Sequence, residues 1–310
     1  MDDKFREKVK RAIEDGTYKQ ELEKMNFDRF QSIEIQKGIQ SHVDVLKYAS
    51  PEFDAAQMKS IRLALEDGMD ISAFCNPEYD YMQMEELKQA VRSGMNMDDI
   101  CNPKFSHSVM REIRLASELN YDLTRYAKLG YSGEVLRQIR LAKKEEIDLT
   151  FFVEDNYDEY QLNEIRLGIH SCVDITKYLL HEYNGKQMEQ IRLGLEEGID
   201  VSPYNMVGFS SGQMKQIRLG LEEGIDVSEY ADPFIDAVSM KEARHRISDK
   251  WNDEKPALNE LQSQEILMGL TSGVDVSLYA DPRYTFKEME KIRLALERGS
   301  NLDGLLKYGC

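Results

Sequence analysis

Apolar residues along this chain recur in a fixed short pattern. In the segment QMEQIRLGLEEGID they are Met188, Ile191, Leu193 and Leu195. At 100° per residue Met188, Ile191 and Leu195 share one side of a helix, while Leu193 points almost opposite. A helix that is apolar on two sides lies between two neighbours. The pattern returns from Gln213 as QMKQIRLGLEEGIDVSEYADP, and twelve copies follow one another with a 26-residue period. Its register is set by an arginine column: Arg62, Arg114, Arg140, Arg166, Arg192, Arg218 and Arg244. Gln36 and Lys10 extend that grid backwards, and Lys88 fills its one gap. After Arg244 the spacing slips by three residues to Leu267, and 26 returns at Arg293. A period of this length marks units that bury their apolar faces by stacking. The expectation is an all-α superhelical α-solenoid of about twelve helix–turn–short-helix repeats.

Polar punctuation places the elements within each unit. Eight residues before the arginine column stand Asp2, Asp28, Asp54, Asp80, Ser106, Ser132, Asp158, Asn184, Ser210, Asp236, Asn259 and Thr285. All are residue types whose side-chain oxygen satisfies the free N–H groups of a helix start. Six residues after the column come Gly16, Gly68, Gly94, Gly198, Gly224, Gly273 and Gly299, with Asn120 in another copy. They suit the left-handed residue that closes a helix. A first helix of about 13 residues is therefore predicted. Two residues further on, Asp or Asn (Asp44 to Asn301, including Asn252) begins a second element. It is one or two turns long, of 3-10 or α type, and often ends at Pro51, Pro77, Pro103, Pro233 or Pro282.

A column of small residues runs through the first helix: Ala12, Gly38, Ala64, Ala90, Ala116, Ala142, Gly168, Gly194, Gly220, Gly269 and Ala295, broken only by Arg246. Glycine inside a helix is unfavourable by about 1 kcal/mol relative to alanine, so its recurrence implies a close approach, expected to be between adjacent helices. Tyr48, Phe74, Tyr126, Phe152, Tyr178, Tyr204, Tyr230 and Tyr279 form an aromatic column in the second element. They read as packing residues, with a base-stacking ladder as the functional alternative. The methionine column from Met58 to Met289 reads as core.

The periodicity divides the chain into repeats 1–9 over residues 1–233, an atypical tenth over 234–262, and repeats 11–12 over 263–310. In the tenth, Arg246 replaces the small residue, Lys250 the glycine, Trp251 an aliphatic residue, and Pro256 the aromatic. Arg244, His245, Arg246, Lys250 and Trp251 are its candidate partner-binding residues, because functional sites gather where a scaffold breaks its own rules. Arg6 and Arg11 replace apolar residues in the first unit, as a wet terminal face requires. The last unit ends within its short helix at Cys310 with no separate C-terminal cap in the sequence, so a longer native chain or pairing at that end is the expectation.

Charge narrows the partners. Fifty-seven acidic residues against 40 basic give a net −17. That argues against a general nucleic-acid binder, which needs clustered cations to displace phosphate counterions. Cys75, Cys101, Cys172 and Cys310 are too few and scattered for a disulfide framework. Cys75 and Cys101 occupy a position where sister units have Ala127, Ala231 and Ala280, and read as small packed residues. The charged start MDDKFREKVK resembles no secretory leader, and no run of apolar residues is long enough to span a bilayer. A reduced, cytoplasmic protein is expected.

Catalytic constellations are weak. Gly208-Phe209-Ser210-Ser211-Gly212 matches a hydrolase elbow, but no strand precedes it and Ser210 falls in the helix-cap column. His42, His107, His170, His181 and His245 lack metal-ligand spacing, and no glycine-rich phosphate loop occurs. No cofactor, metal or enzymatic activity is expected. The arginine column has two readings: a reader of phosphates, or an internal ladder. Arg62, Arg114, Arg192, Arg218 and Arg293 each have Glu four residues on, and the capping acids of a neighbouring unit are within plausible reach. The ladder reading takes Arg62, Arg114, Arg140, Arg166, Arg192, Arg218 and Arg293 as structural.

The phrases QMKQIRLGLEEGIDVS and IRLGLEEGIDVSEYADP resemble a short tandem-repeat family found in proteins of gut Firmicutes and their mobile elements. The resemblance covers nearly the whole chain; units two, four and ten depart from it. It implies a setting, with interference in host defence as one expected role, and no particular chemistry. The function expected is non-catalytic binding of a protein partner through a variable polar surface. Three residues before the column this surface reads Lys59, Glu85, Arg111, Arg137, Asn163, Glu189, Lys215, Lys241 and Glu290. The alternative is an inhibitor whose acids imitate nucleic acid, and the third is a nucleic-acid reader using the arginines. The pattern names neither the partner nor an oligomeric state.

Overall fold

The computed structural model describes residues 3–254, 258–302 and 304–306. Among them the chain is all-helical, without strands. In chain order the α-helices are α1 (Asp3–Glu14), α2 (Tyr18–Lys24), α3 (Arg29–Gln40), α4 (Ala55–Glu66), α5 (Tyr81–Arg92), α6 (His107–Ser117), α7 (Thr124–Lys128), α8 (Gly133–Lys144), α9 (Thr150–Glu154), α10 (Glu159–His170), α11 (Gly185–Glu196), α12 (Ser211–Glu222), α13 (Ala237–Glu254), α14 (Glu260–Ser272) and α15 (Phe286–Glu297). Where it is not α-helical, the second element is a short 3-10 turn at Val45–Lys47, Met97–Asp99, Ile175–Lys177 and Val276–Leu278, and a simple hydrogen-bonded turn after α4, α11 and α12. The chain divides into two compact units, residues 1–192 and 193–310. In the first, α3, α4, α5, α6, α8 and α10 pack each on the next; in the second, α12 packs on α13 and α14 on α15.

Helix starts follow the cap column. Asp28, Asp54, Asp80, Asp158, Ser210, Asn259 and Thr285 each accept the backbone N–H three residues on, and the Gln or Glu there reaches back to the cap's own N–H. Asn184 with Gln187 closes the same reciprocal pair, while Ser106, Ser132 and Asp236 cap without it. Asp2 lies outside the described residues. The stop column is left-handed throughout its glycines, and His42, Glu146 and Cys172 adopt the same positive φ in units that lack one. The second-element residues Asp44, Asp70, Asn96, Asp174 and Asp275 accept the N–H two residues on.

The small column has a different neighbour from the one its spacing implies. A Cβ on Gly38, Gly168, Gly194, Gly220 or Gly269 would collide with the hydroxyl of Tyr48, Tyr178, Tyr204, Tyr230 or Tyr279, ten residues on in the same unit. The glycine therefore admits a tyrosine from its own second element, not an adjacent helix. Tyr48, Tyr178 and Tyr279 then donate to the carbonyls of Glu34, Glu164 and Glu265 at 3.2 Å. Where the second element offers Phe74 or Phe152, with no hydroxyl to accommodate, the helix carries Ala64 or Ala142.

A glutamine column ties successive units together. The amides of Gln31, Gln57, Gln83, Gln213 and Gln262 donate to the carbonyls of Phe53, Tyr79, Phe105, Ile235 and Tyr284 at 2.6 Å, and Gln161 to Tyr183 at 2.7 Å. Each bond spans 22 residues, so the group that closes one helix cap also grips the loop ahead of the next cap. Most residues before the caps, among them Phe53, Tyr79, Phe105, Tyr183 and Phe209, are buried there; Tyr131 and Ile235 are half-buried and Leu258 is exposed.

The tenth unit departs in its backbone. With Lys250 in place of the stop glycine, α13 continues to Glu254 and reaches 18 residues, against 12 in α12. Asn252 consequently lies inside this helix and begins no second element, contrary to the column it occupies in the sequence.

Candidate functional site

The arginine column is largely buried. Arg62, Arg192 and Arg293 donate to Glu34, Glu164 and Glu265 of the preceding unit at 3.0, 2.8 and 2.8 Å. Arg114 and Arg140 do the same with Glu86 at 3.0 Å and Glu112 at 2.6 Å. Each acceptor stands 28 residues before its arginine. Glu66, Glu118, Glu222 and Glu297, four residues on, take a second guanidinium nitrogen of Arg62, Arg114, Arg218 and Arg293. Arg166 meets Gln138 instead of an acid, and draws its counter-charge from Glu145 at 2.7 Å. Lys88, facing the neutral Ser60, turns to Glu85 at 2.8 Å. Among the described residues the capping acids take no part; one oxygen of each, as at Asp54 and Asp158, accepts helix-start N–H groups.

These contacts fix the ionisation of their members. Burial works to raise the Glu34 carboxyl, but hydrogen bonds from Lys37 and Arg62 hold it below the ordinary value. Burial likewise opposes the charge on Arg62, and Glu66 and Glu34 more than restore it. In an interior of reduced dielectric such pairs persist only when geometry compensates desolvation.

What the framework leaves exposed is one edge of the long helices. Of the column three residues before the arginines, Lys59, Arg111, Arg137, Lys215, Lys241 and Glu290 are exposed. One turn closer to the helix start, in the first compact unit, Phe30 is 68% exposed, Met82 46% and Tyr160 69%. Neighbouring helix starts lie close along this edge: a Cβ on Gly133 would meet Ser108, and one on Gly185 would meet the backbone of Tyr160. Gly185 thereby opens a depression of about 290 Å³ whose lining includes Arg137, Tyr160, Asn163, Lys186 and Glu189. A larger depression of about 830 Å³ between α1 and α2 is lined by the charged side chains of Lys8, Arg11, Asp15, Glu21 and Lys24.

The tenth-unit candidates separate. Arg244 is buried, ion-paired to Glu223 and hydrogen-bonded to Gln216, so it belongs to the ladder and not to a surface. His245 is exposed and bonded to Arg244 at 2.9 Å; Arg246 is exposed and paired with Glu229; Lys250 is exposed. The side chain of Trp251 and all of Pro256 lie outside the described residues. Phe234, in the loop leading into α13, is 96% exposed. Sister units have Glu52, Glu78, Lys104 and Glu182 in its place, a contrast legible in the alignment of repeats.

Other sequence features resolve into scaffold. Ser210 accepts from the N–H of Gln213 as the cap of α12. Cys75 and Cys101 point their thiols at the carbonyls of Lys47 and Ala73, and burial pushes both thiols up, away from reactivity. His181 is bonded to Asp155 at 3.0 Å and stacks on Tyr157. Among the described residues no group of three or more His, Cys, Asp or Glu side chains is arranged to hold a metal, and no helix is long and apolar enough to cross a membrane. No protein-family model matches the chain, and no curated protein or solved structure matches it either.

Proposed function

We propose that the chain is a superhelical α-solenoid that binds a protein partner, without catalysis, along the exposed helix-start edge. The observation carrying this reading is the group Phe30, Met82 and Tyr160, large apolar side chains left in solvent beside a column whose charge varies from unit to unit. Exposed aromatic residues rimmed by polar ones are the usual anchors of protein interfaces. The buried columns supply the rigid frame, and the edge supplies specificity. His245, Arg246 and Lys250 form a second patch on α13, with Phe234 in the loop before it.

A nucleic-acid reader needs exposed guanidinium groups, and here they are mostly buried and engaged. The mimic of nucleic acid needs its carboxylates in solvent; Glu34, Glu86, Glu112, Glu164 and Glu265 are buried in the ladder and unusable for it, while others such as Glu52, Asp67, Glu78 and Glu118 are exposed. Affinity capture from the source cell, with cross-linking to locate contacts, tests the proposal. Tyr160→Ala and Phe30→Ala are expected to reduce recovery of a specific protein by roughly tenfold or more each. Unchanged recovery with both variants refutes the edge as the binding surface.

A further inference from the structure

Among the long helices, α14 alone carries an apolar residue in the arginine column. Leu267 stands there, with Gln264 three residues before and Thr271 four after, where α15 has Glu290, Arg293 and Glu297. Only α3 also lacks charge at all three positions (Ile33, Gln36 and Gln40), and its column residue is a polar amide. Leu267 is 64% and Leu270 58% exposed, and Leu261 and Met268 are exposed beside them. At 100° per residue these four side chains, with Gln264 and Thr271 between them, cover one continuous half of the helix. Within α14 the charges are Glu260, exposed on this half at the first residue of the helix, and Glu265, buried on the other side against Arg293 at 2.8 Å.

We propose that this face pairs with the same helix of a second copy of the chain, about a two-fold axis. Charge is the first reason. A chain of net −17 resists its own copy wherever acids face each other, and this half of α14 presents a single acid, Glu260, confined to its first turn. Register is the second. Stacking end to end as a further repeat sets the residue two before the arginine column of one unit against the column of the next, as Glu34 meets Arg62. Against Leu267, the exposed Glu242 of α13 or Lys291 of α15 would bury a charge without a counter-ion. A two-fold contact sets leucine against leucine instead. Continuity with the internal interfaces is the third: sister helices bury this same column against a neighbouring helix, so the face accepts one at contact distance. A depression of about 380 Å³ edged by Leu267, Met268 and Thr271 provides a seat for the partner's side chains.

Sedimentation velocity on the full chain between ~1 and ~100 µM, the range in which a small interface dissociates, tests the pairing. The expected result is a mass that rises with concentration toward twice that of one chain. Leu267→Arg, which restores the residue of the sister units, is expected to weaken association at least ~tenfold. Met268→Glu alters a side chain already in solvent, and carries the comparison if Leu267→Arg fails to fold by circular dichroism. A single-chain mass at every concentration overturns the proposal and leaves the face to a helix from another protein. A dimer that both folded variants retain overturns it as well.

Discussion

The hydroxyl of Tyr178 occupies the space that a Cβ on Gly168 would fill. The same relationship joins five glycines to five tyrosines, whereas Ala64 faces a unit with Phe74. Helix composition and second-element composition are thus coupled in these units, with Ala116 and Tyr126, whose second element is the α-helix α7, as an exception. Gly168→Ala is expected to cost roughly 1–3 kcal/mol through overpacking, although alanine is the better helix former. Tyr178→Phe removes the bond to the Glu164 carbonyl and is expected to cost about 1 kcal/mol. The double variant reproduces the Ala–Phe combination, so its cost falls below the sum. Urea unfolding of all four proteins measures this; strictly additive costs refute the collision.

The ladder makes an asymmetric prediction. Arg293→Ala leaves the buried Glu265 carboxylate without its cation and is expected to destabilise by about 3 kcal/mol. Glu265→Gln is expected to cost only about 1 kcal/mol, since a neutral amide still accepts from the guanidinium. The chain already uses that solution at Gln138 with Arg166. Equal losses in denaturant titrations of the two variants contradict the assignment.

Three units close their helices with residues ill suited to a left-handed backbone: His42, Glu146 and Cys172. Replacing each by glycine removes a steric penalty of about 1 kcal/mol, part of which is offset by the greater freedom of the unfolded chain. A gain of roughly 0.5 kcal/mol per site, additive across the three, is expected in chemical unfolding. Gly68→Ala is the opposite control, with an expected loss of about 1 kcal/mol. No gain at any of the three sites counts against the strain.

Stability is expected to fall at both ends of the pH scale. For Glu34 and Glu85 burial favours protonation, but hydrogen bonds from Lys37 and Arg62, and from Lys88 and Ser60, depress both carboxyls below the ordinary 4.5. The folded form then binds fewer protons than the unfolded one, so their contribution is complete above about pH 4.5 and disappears as pH drops through the folded values. Burial raises the Tyr230 hydroxyl from 10.0 to about 12. Its contribution is complete below pH 10.0 and is lost as pH rises from there to about 12. Thermal melts across this range, at constant ionic strength, measure both limbs; a flat profile below pH 4.5 excludes the acid limb.

The units' boundaries were legible because caps and stops act through local backbone chemistry. Asp54 and Gly68 do in the structure what their types imply. Contacts that depend on the path of a different segment were not. Nothing about Gln57 as a polar residue near a helix start reveals that the carbonyl of Tyr79 will stand beside it. The glycine column implies a helix–helix approach in the sequence because spacing reports that room is needed and is silent on what fills it. Substitution at Lys250 signalled a departure, but not that the helix would simply run on to Glu254. The varying charge at Lys59, Arg111 and Arg137 marks the exposed edge in the sequence, whereas nothing in the pattern singles out Tyr160 and Phe30. Their column is small or polar in many copies (Ala56, Ser108, Gly212), and periodicity hides what it does not repeat.

The glutamine and arginine bonds span 22 and 28 residues, whichever unit they leave from. Every such tie is therefore a transaction between adjacent copies. Excising or duplicating the stretch from one cap to the next, for instance Asp54 to Asp80, returns the same kinds of donors and acceptors to the new junction. Such a chain can change length by unequal recombination without passing through an unfoldable intermediate, and its number of copies becomes a variable that selection can adjust as freely as a side chain.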